Sequence, residues 1–349
     1  MLLELNVVEG AYFQDILNQP DALRRTIAGL SASPALTAFA GAVSSGQYKR
    51  VVLTGMGSSL YALYPMHLQL TACGLPALLI ETAELIHYLD GILGPETLVI
   101  AVSQSGKSAE ILRLLENAAG RSPVIGVTND EASPLARRTQ ASVLIRAGVE
   151  ASVSCKTYVC SLAALEWLGA MLTGRDLAET TRRLGTVIPL AEKYLADWRQ
   201  HVAQVVPLLS GIRHIFVAGR GPSLATAQTG GLILKESTRV AAEGMSCAAF
   251  RHGPFEVLSR EVLVVILAGD ARVHALNLRL ADDIRNAGGN FALVESTARL
   301  PVFRVPSLPD SFLPILEILP IQMLSLAIAA RLGRVAGRFD LAAKITSTE

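Results

Sequence analysis

The chain has 349 residues, 51% of them hydrophobic and 17% charged, with 31 Lys and Arg against 30 Asp and Glu. That length suits two ordinary domains with a substantial core, and a formal net charge of +1 gives no general attraction to nucleic acid or to an anionic membrane. Four cysteines, Cys73, Cys155, Cys160 and Cys247, have neither metal-type spacing nor the density of a disulfide scaffold, so no metal centre is expected and the reducing cytoplasm is the expected location.

The first ten residues, MLLELNVVEG, carry Glu4 and no basic residue ahead of the apolar run, and a signal peptide is therefore not expected. Residues 1–45 read as a helical lead-in, with helix starts at Pro20-Asp21 and at Ser33-Pro34. Short apolar runs of β type then appear at 50–53, 77–80, 97–102, 124–127 and 142–145, separated by helix-length segments such as 58–72 and 108–119. Strands that alternate with helices predict a parallel sheet covered on both faces, a doubly wound α/β domain over residues 46–170.

From 152 to 210 the pattern is almost wholly helical, and residues 171–210 are expected to link two domains. Alternation resumes with apolar runs at 214–218, 262–267, 291–294 and 302–305, which predicts a second α/β domain over 211–335, followed by a tail at 336–349. The long apolar stretch 312–330 contains Pro314, Glu317, Pro320 and Gln322. It reads as a buried or interface helix, and no membrane span is expected.

The two halves share a pattern. VVLTGMGSSLYA and IFVAGRGPSLAT align without a gap at an offset of 164, placing Gly55, Gly57, Ser59 and Leu60 on Gly219, Gly221, Ser223 and Leu224. The same offset lays 98–102 over 262–266, so an internal duplication is expected.

In the first half, TLVIAVSQSGKS is a buried-strand pattern that stops in a loop of Ser103, Gln104, Ser105, Gly106 and Ser108. Hydroxyls, freed backbone N–H groups and a glycine at the start of a helix suit a phosphate. The turn Gly55-Met56-Gly57-Ser58-Ser59 lies after the neighbouring strand and offers a second such corner. Its glycine pair lacks the third glycine and the downstream acid of a dinucleotide fingerprint, so no nicotinamide cofactor is expected. In the second half the corresponding loop, Leu267-Ala268-Gly269-Asp270, has no hydroxyl cluster, and Asp270 would repel an anion. Glu236 on a helix pattern, His252 in Arg251-His252-Gly253-Pro254, and Lys344 near the C-terminus are groups able to move protons or engage a carbonyl.

GMGSSLYA, SQSGKSAEIL, the SVSCKTY stretch, LKES, RHGPFEVL and AAKITSTE, in that order, resemble the double sugar-isomerase (SIS) domain half of glucosamine-6-phosphate synthase, without its glutaminase domain. The resemblance implies a pair of doubly wound SIS domains and no cofactor. It places phosphate-binding hydroxyls on Ser59, Ser103, Ser105 and Ser108, with Ser58 and Gln104 beside them and Ser154 as a further sugar contact. It also implies that Glu236 shuttles a proton between C1 and C2, that His252 opens the sugar ring from a neighbouring subunit of a homodimer, and that Lys344 engages the sugar carbonyl, with the tail closing over the site.

Lys107 stands where the synthase has an acid, and Ile233 where it has a lysine. The expected activity is conversion of an amino sugar 6-phosphate, glucosamine 6-phosphate, to fructose 6-phosphate and ammonia. A fructosamine 6-phosphate deglycase and a ketose-aldose phosphate isomerase use the same proton shuttle and stay open as alternatives. A non-catalytic phosphosugar sensor is the alternative of another class, although no basic helix-turn-helix segment is present in the pattern.

Overall fold

The structure, a computed structural model, describes residues 9–341 and Lys344; the expectations for residues 1–8 and for the tail past Leu341, Lys344 apart, lie outside the described residues. Nine strands occur among them: β1 (Arg50–Gly55), β2 (Ala77–Glu81), β3 (Thr97–Val102), β4 (Val124–Thr128), β5 (Ala141–Leu144), β6 (His214–Gly219), β7 (Ala241–Ser246), β8 (Val262–Leu267) and β9 (Asn290–Val294). They form two sheets, β2-β1-β3-β4-β5 and β7-β6-β8-β9, parallel throughout. Both sheets reverse direction of growth between their first and third strands, the signature of a doubly wound fold.

The helices alternate with these strands. α1 (Ala11–Leu17), α2 (Gln19–Gly29) and α3 (Pro34–Ser44) precede β1, and α4 (Ser58–Ala62), α5 (Tyr64–Ala72), α6 (Thr82–His87), α7 (Ala109–Ala118) and α8 (Pro134–Arg138) connect the first sheet. α9 (Lys156–Leu172), α10 (Leu177–Gly185), α11 (Val187–Ala196) and α12 (Trp198–Val205) follow, then α13 (Ser223–Thr238), α14 (Cys247–Arg251), α15 (His274–Asn286) and α16 (Leu313–Arg331). The α3 start is as expected: Ser33 is the N-cap, accepting the N–H of Leu36 at 3.2 Å, with Pro34 at the first helical position.

The chain divides into two units, each with one sheet. The first comprises Asp21–Val149 with Lys156–Ile188, and Lys344 falls with it; the second comprises residues 9–20, 150–155 and 189–341. In the first unit every residue of β3 is buried, and Val52, Val99 and Ala101 pack against Leu85 of α6 and Ile111 and Leu114 of α7. Each of these valine, leucine and isoleucine side chains contributes roughly 1.5–3 kcal/mol through loss of water contact. All 17 residues of α9 are buried, as an almost uniformly apolar helix requires.

In the second unit β8 is buried along its whole length, and Val264 and Ile266 share a core with Phe250, Leu280 and Ile284. The segment Asp310–Arg331 is long and apolar enough, by length and composition, to cross a membrane, yet its residues 312–329 are all buried. α16 packs against α12 and α13 and runs through Pro320. Its Gln322 makes a reciprocal amide pair with Gln19, at 2.9 and 3.0 Å, which satisfies two polar groups that burial would otherwise penalise.

Four expectations differ from the structure. The run 302–305 is a 3₁₀ turn at Pro301–Phe303 with one isolated bridge, Glu295 to Arg304, because Pro301 sets φ and removes a donor at its start. β7 was not legible: AAEGMS is a half-exposed edge strand with a glycine and no alternation. The expected helix 58–72 is two helices, broken where Leu63 precedes Tyr64-Pro65. Finally, Val51 pairs with Leu98 and Ile215 pairs with Leu263, so the offset is 164 on β1/β6 but 165 on β3/β8; the second half has gained one residue between them.

Candidate active site

In an open doubly wound sheet a ligand lies beyond the carboxyl ends of the two strands at which the order reverses. In the first unit these are β1 and β3. β1 ends in Gly55 and hands over to α4 through Met56 and Gly57, whose φ of 51° is open to glycine and costly for other residues. Ser58 then begins α4, 7% exposed, and its Oγ is buried without a hydrogen-bond partner among the described residues. Ser59 is half-buried beside it.

β3 ends in the loop Ser103 to Ser108. Ser103 and Ser105 are 9% and 8% exposed. The N–H of Gly106 donates to Ser103 Oγ at 3.1 Å, and the N–H of Lys107 donates to Ser105 Oγ at 3.3 Å. Each oxygen thus uses an acceptor site inside the loop and retains its O–H proton for an outside acceptor. Ser108 is the N-cap residue of α7 without capping α7 by its own side chain, and it is half-buried, as is Gln104.

The β4 side holds this loop still. The carbonyl of Gln104 accepts the N–H of Asn129 at 3.1 Å and the Thr128 hydroxyl at 3.3 Å, and the carbonyl of Gly106 accepts the N–H of Leu135 at 3.1 Å. Gly106 has φ 64°, and a Cβ there would lie 2.3 Å from Ser133 Oγ and 2.8 Å from Thr128 Oγ1. Lys107 points out of the loop to Asp130, 3.4 Å away, with both side chains substantially exposed. Ser58, Ser59, Ser103, Gln104, Ser105 and Ser108 therefore share the carboxyl edge of one sheet, on two adjacent strands.

The equivalent corner of the second unit is built differently. Gly221, with φ 55°, repeats Gly57, but the hydroxyl of Ser223, the counterpart of Ser59, donates to Glu317 Oε1 at 2.8 Å. Asp270 is buried and binds Arg272 at 2.8 Å, while Arg272 also reaches Asp310 at 2.9 Å. Burial pushes the Glu317 carboxyl up to about 7, against the lowering effect of hydrogen bonds from Ser223 and Thr226 and with a further upward push from Asp270. Two carboxyl groups in this corner disfavour an anion, as expected for Asp270 from the sequence; Glu317 was not singled out as its partner.

The second unit also carries Glu236, Ser154 and His252. Glu236 is half-buried near the end of α13, next to exposed Lys235. Its charge is felt by the phenol of Tyr12, which is pushed well above its ordinary range by burial first, then by Cys155, Glu236 and Glu150. Tyr12 has no exposed surface and shares a 3.2 Å hydrogen bond with Ser325.

The segment bearing Ser154 is pinned from within: the N–H of Cys155 donates to Glu150 Oε1 at 3.0 Å, and the N–H of Ala151 donates to Asp15 Oδ2 at 2.9 Å. Gly337 closes the same neighbourhood, its N–H donating to the carbonyl of Ser237 at 3.1 Å. Ser154 and Glu236 thus belong to segments that meet at Tyr12, a residue the sequence pattern did not mark out because one tyrosine in an amphipathic helix carries no signal of its own.

His252 is an exposed residue at the C-cap of α14, followed by Gly253 at φ 115°. Its chain neighbours Arg251 and Gly253 line a cleft of about 390 Å³ with Phe255, Glu256 and Asp283. Lys344 is half-buried. A larger cavity of about 480 Å³ lies at the amino-terminal ends of β6, β7 and β8, lined by His214, Ala241 and Val262 among others. That is the sheet edge opposite the one at which doubly wound folds hold ligands, so the loops and not the larger void define the candidate site.

Comparison with known proteins agrees with this fold. The SIS domain family matches residues 47–171 and 208–293. Glutamine–fructose-6-phosphate aminotransferase (isomerizing) of Pyrococcus horikoshii is 27% identical over 348 residues, an alignment covering 96% of this chain and 57% of that protein; the chain spans about half the length of the curated relatives it matches. Among solved structures, the C-terminal domain of glucosamine-fructose-6-phosphate aminotransferase from Francisella tularensis superposes with a TM-score of 0.81 at 21% identity, covering 92% of this chain and 95% of that one. Glucosamine-6-phosphate deaminase from Thermotoga maritima has the same fold, with a TM-score of 0.78 at 17% identity over 97% of this chain and all of the other. The chain belongs to the SIS domain family, with one SIS segment on each of its two parallel sheets.

Proposed function

We propose that this protein is a phosphosugar isomerase-deaminase that converts an amino sugar 6-phosphate, glucosamine 6-phosphate, to fructose 6-phosphate and ammonia. The observation that carries the reading is the first unit's serine corner: two buried hydroxyls whose oxygens accept backbone N–H groups and keep their protons for a ligand, beside a third buried hydroxyl, on Ser58, with no partner among the described residues. Rigid, outward-donating hydroxyls at a helix start are suited to a phosphate.

In this reading Ser59, Ser103, Ser105 and Ser108, with Ser58 and Gln104, take the phosphate and Ser154 a sugar hydroxyl. With the ring open, Glu236 removes the proton from C2 and delivers it to C1. The C1 carbonyl becomes a hydroxymethyl group and the amine-bearing C2 becomes an imine; water adds to C2 and ammonia leaves, so one water is consumed for each ammonia released. Lys344 serves the C1 carbonyl. His252, exposed on its own chain, assists ring opening in a second chain of a homodimer. A carboxylate can act as the general base of such a transfer, and Glu236 is half-buried.

Ammonia and fructose 6-phosphate released in equal amounts from glucosamine 6-phosphate, and lost in Glu236→Gln, are the expected result. Turnover of a fructosamine phosphate or a plain ketose phosphate in preference to glucosamine 6-phosphate would move the assignment to the deglycase or isomerase. Tight binding of phosphosugars with no turnover of any would make the protein a sensor.

A further inference from the structure

Behind the serine loop lies a buried ionisable group that neither the phosphate cradle nor the proton shuttle uses. Glu110 is the second residue of α7, directly behind the Ser103 to Ser108 loop, and only 7% of it is exposed. One of its two carboxyl oxygens, Oε2, is buried without a hydrogen-bond partner among the described residues. The start of a helix favours a carboxylate, but only weakly compared with what is lost when a carboxylate leaves water unpartnered. Ser58 Oγ, after the neighbouring strand β1, is buried and unpartnered in the same way. Two unsatisfied polar groups thus fall at the carboxyl ends of the two strands between which the first sheet reverses.

A hydroxyl serves either a donor or an acceptor. A carboxylate only accepts, and it repels a phosphate.

We propose that Glu110 is a ligand-binding residue that accepts a hydrogen bond from the sugar portion of the substrate, from a hydroxyl or an ammonium group, while the adjacent serines hold the phosphate. This rests on the phosphosugar reading above and adds to it a residue that recognises the sugar and not the phosphate.

The test compares the wild-type chain with Glu110→Gln and Glu110→Ala, using inorganic phosphate, glucose 6-phosphate and glucosamine 6-phosphate as probes, by calorimetric titration and by thermal melting without ligand. Binding of inorganic phosphate is expected to be unchanged or slightly tighter in both variants. The sugar phosphates are expected to bind about tenfold more weakly in Glu110→Ala, and a larger loss for glucosamine 6-phosphate than for glucose 6-phosphate in Glu110→Gln would identify the ammonium as the donor. Without ligand, both variants are expected to melt at a higher temperature than the wild type, since an unsatisfied carboxylate has been removed.

A lower melting temperature in both variants, with inorganic phosphate and the sugar phosphates weakened by the same factor, would overturn the proposal and make Glu110 a support of the loop. Unchanged affinity for both sugar phosphates would overturn it as well while leaving the phosphosugar reading intact. Failure of the wild type to bind any of the three probes would overturn that reading and the proposal together.

Discussion

Ser103 and Gly106 close a small ring: the glycine N–H donates to the serine Oγ at 3.1 Å, with Gly106 at φ 64°, where a Cβ would meet Ser133 and Thr128. The hydroxyl orientation and the glycine are therefore one device. Gly106→Ala is expected to lower stability by more than the roughly 1–2 kcal/mol that a left-handed residue costs, because its Cβ meets two side chains as well. It is also expected to abolish measurable binding of a sugar phosphate. Chemical denaturation and a phosphate titration of the same sample check both effects; wild-type affinity in the alanine variant would detach the loop from the ligand.

Removing the hydroxyls leaves the loop backbone in place. Ser103→Ala and Ser105→Ala each are expected to weaken binding of a sugar phosphate by about tenfold or more, the effect of a hydrogen bond to a charged group, and Ser103→Ala also to lower the melting temperature, because the buried N–H of Gly106 loses its acceptor. Ser223→Ala, at the corresponding corner of the second unit, is expected to leave that affinity unchanged, because its hydroxyl is engaged by Glu317.

Glu317 supplies a pH dependence of its own. Its carboxyl sits at about 7 in the folded chain against an ordinary 4.5, because it is buried, so the folded state holds the proton more firmly than the unfolded state. That stabilisation is complete below the unfolded value and is lost as pH rises through about 7. Glu317→Gln is therefore expected to gain stability relative to the wild type between about pH 5.5 and about pH 8.5, by on the order of 2 kcal/mol. Denaturation curves at the two pH values check this; a constant difference between the two proteins would show that Glu317 keeps an ordinary carboxylate titration.

The four thiols differ by burial. Cys73 is exposed, and Cys155, Cys160 and Cys247 are buried; burial pushes the Cys247 thiol up to about 11. One thiol per native chain is expected to react rapidly with an alkylating agent near neutral pH, and it is Cys73, because only an accessible thiolate attacks. Peptide mapping after brief labelling reads the site directly.

These features were unequally legible in the sequence. Fully buried parallel strands announce themselves as unbroken apolar runs, which is why β3 and β8 have the bounds that TLVIAV and VLVVIL predict. β7 escaped because an edge strand with one half-exposed face has no such run. The serines of the 103–108 loop could be placed on a sheet edge from the motif alone, whereas the internal bonds that orient Ser103 and Ser105 depend on Thr128, Ser133 and Leu135 from the next loop. Tyr12, Glu110 and Glu317 were invisible for a shared reason: what distinguishes them is burial beside particular partners, or without any, and such contacts between distant segments leave no periodic mark.

The central claim is that Glu236 moves a proton between C1 and C2 of a phosphosugar. The most direct measurement is proton exchange with solvent: fructose 6-phosphate or glucosamine 6-phosphate is incubated with the protein in heavy water, and deuterium at C1 and C2 is followed by nuclear magnetic resonance. Incorporation catalysed by the wild type and absent from Glu236→Gln, with sugar-phosphate affinity retained in the variant, is the expected result. Exchange that persists in Glu236→Gln would contradict the role of that residue, and the absence of both exchange and conversion with every phosphosugar that the wild type binds would contradict the isomerase chemistry itself.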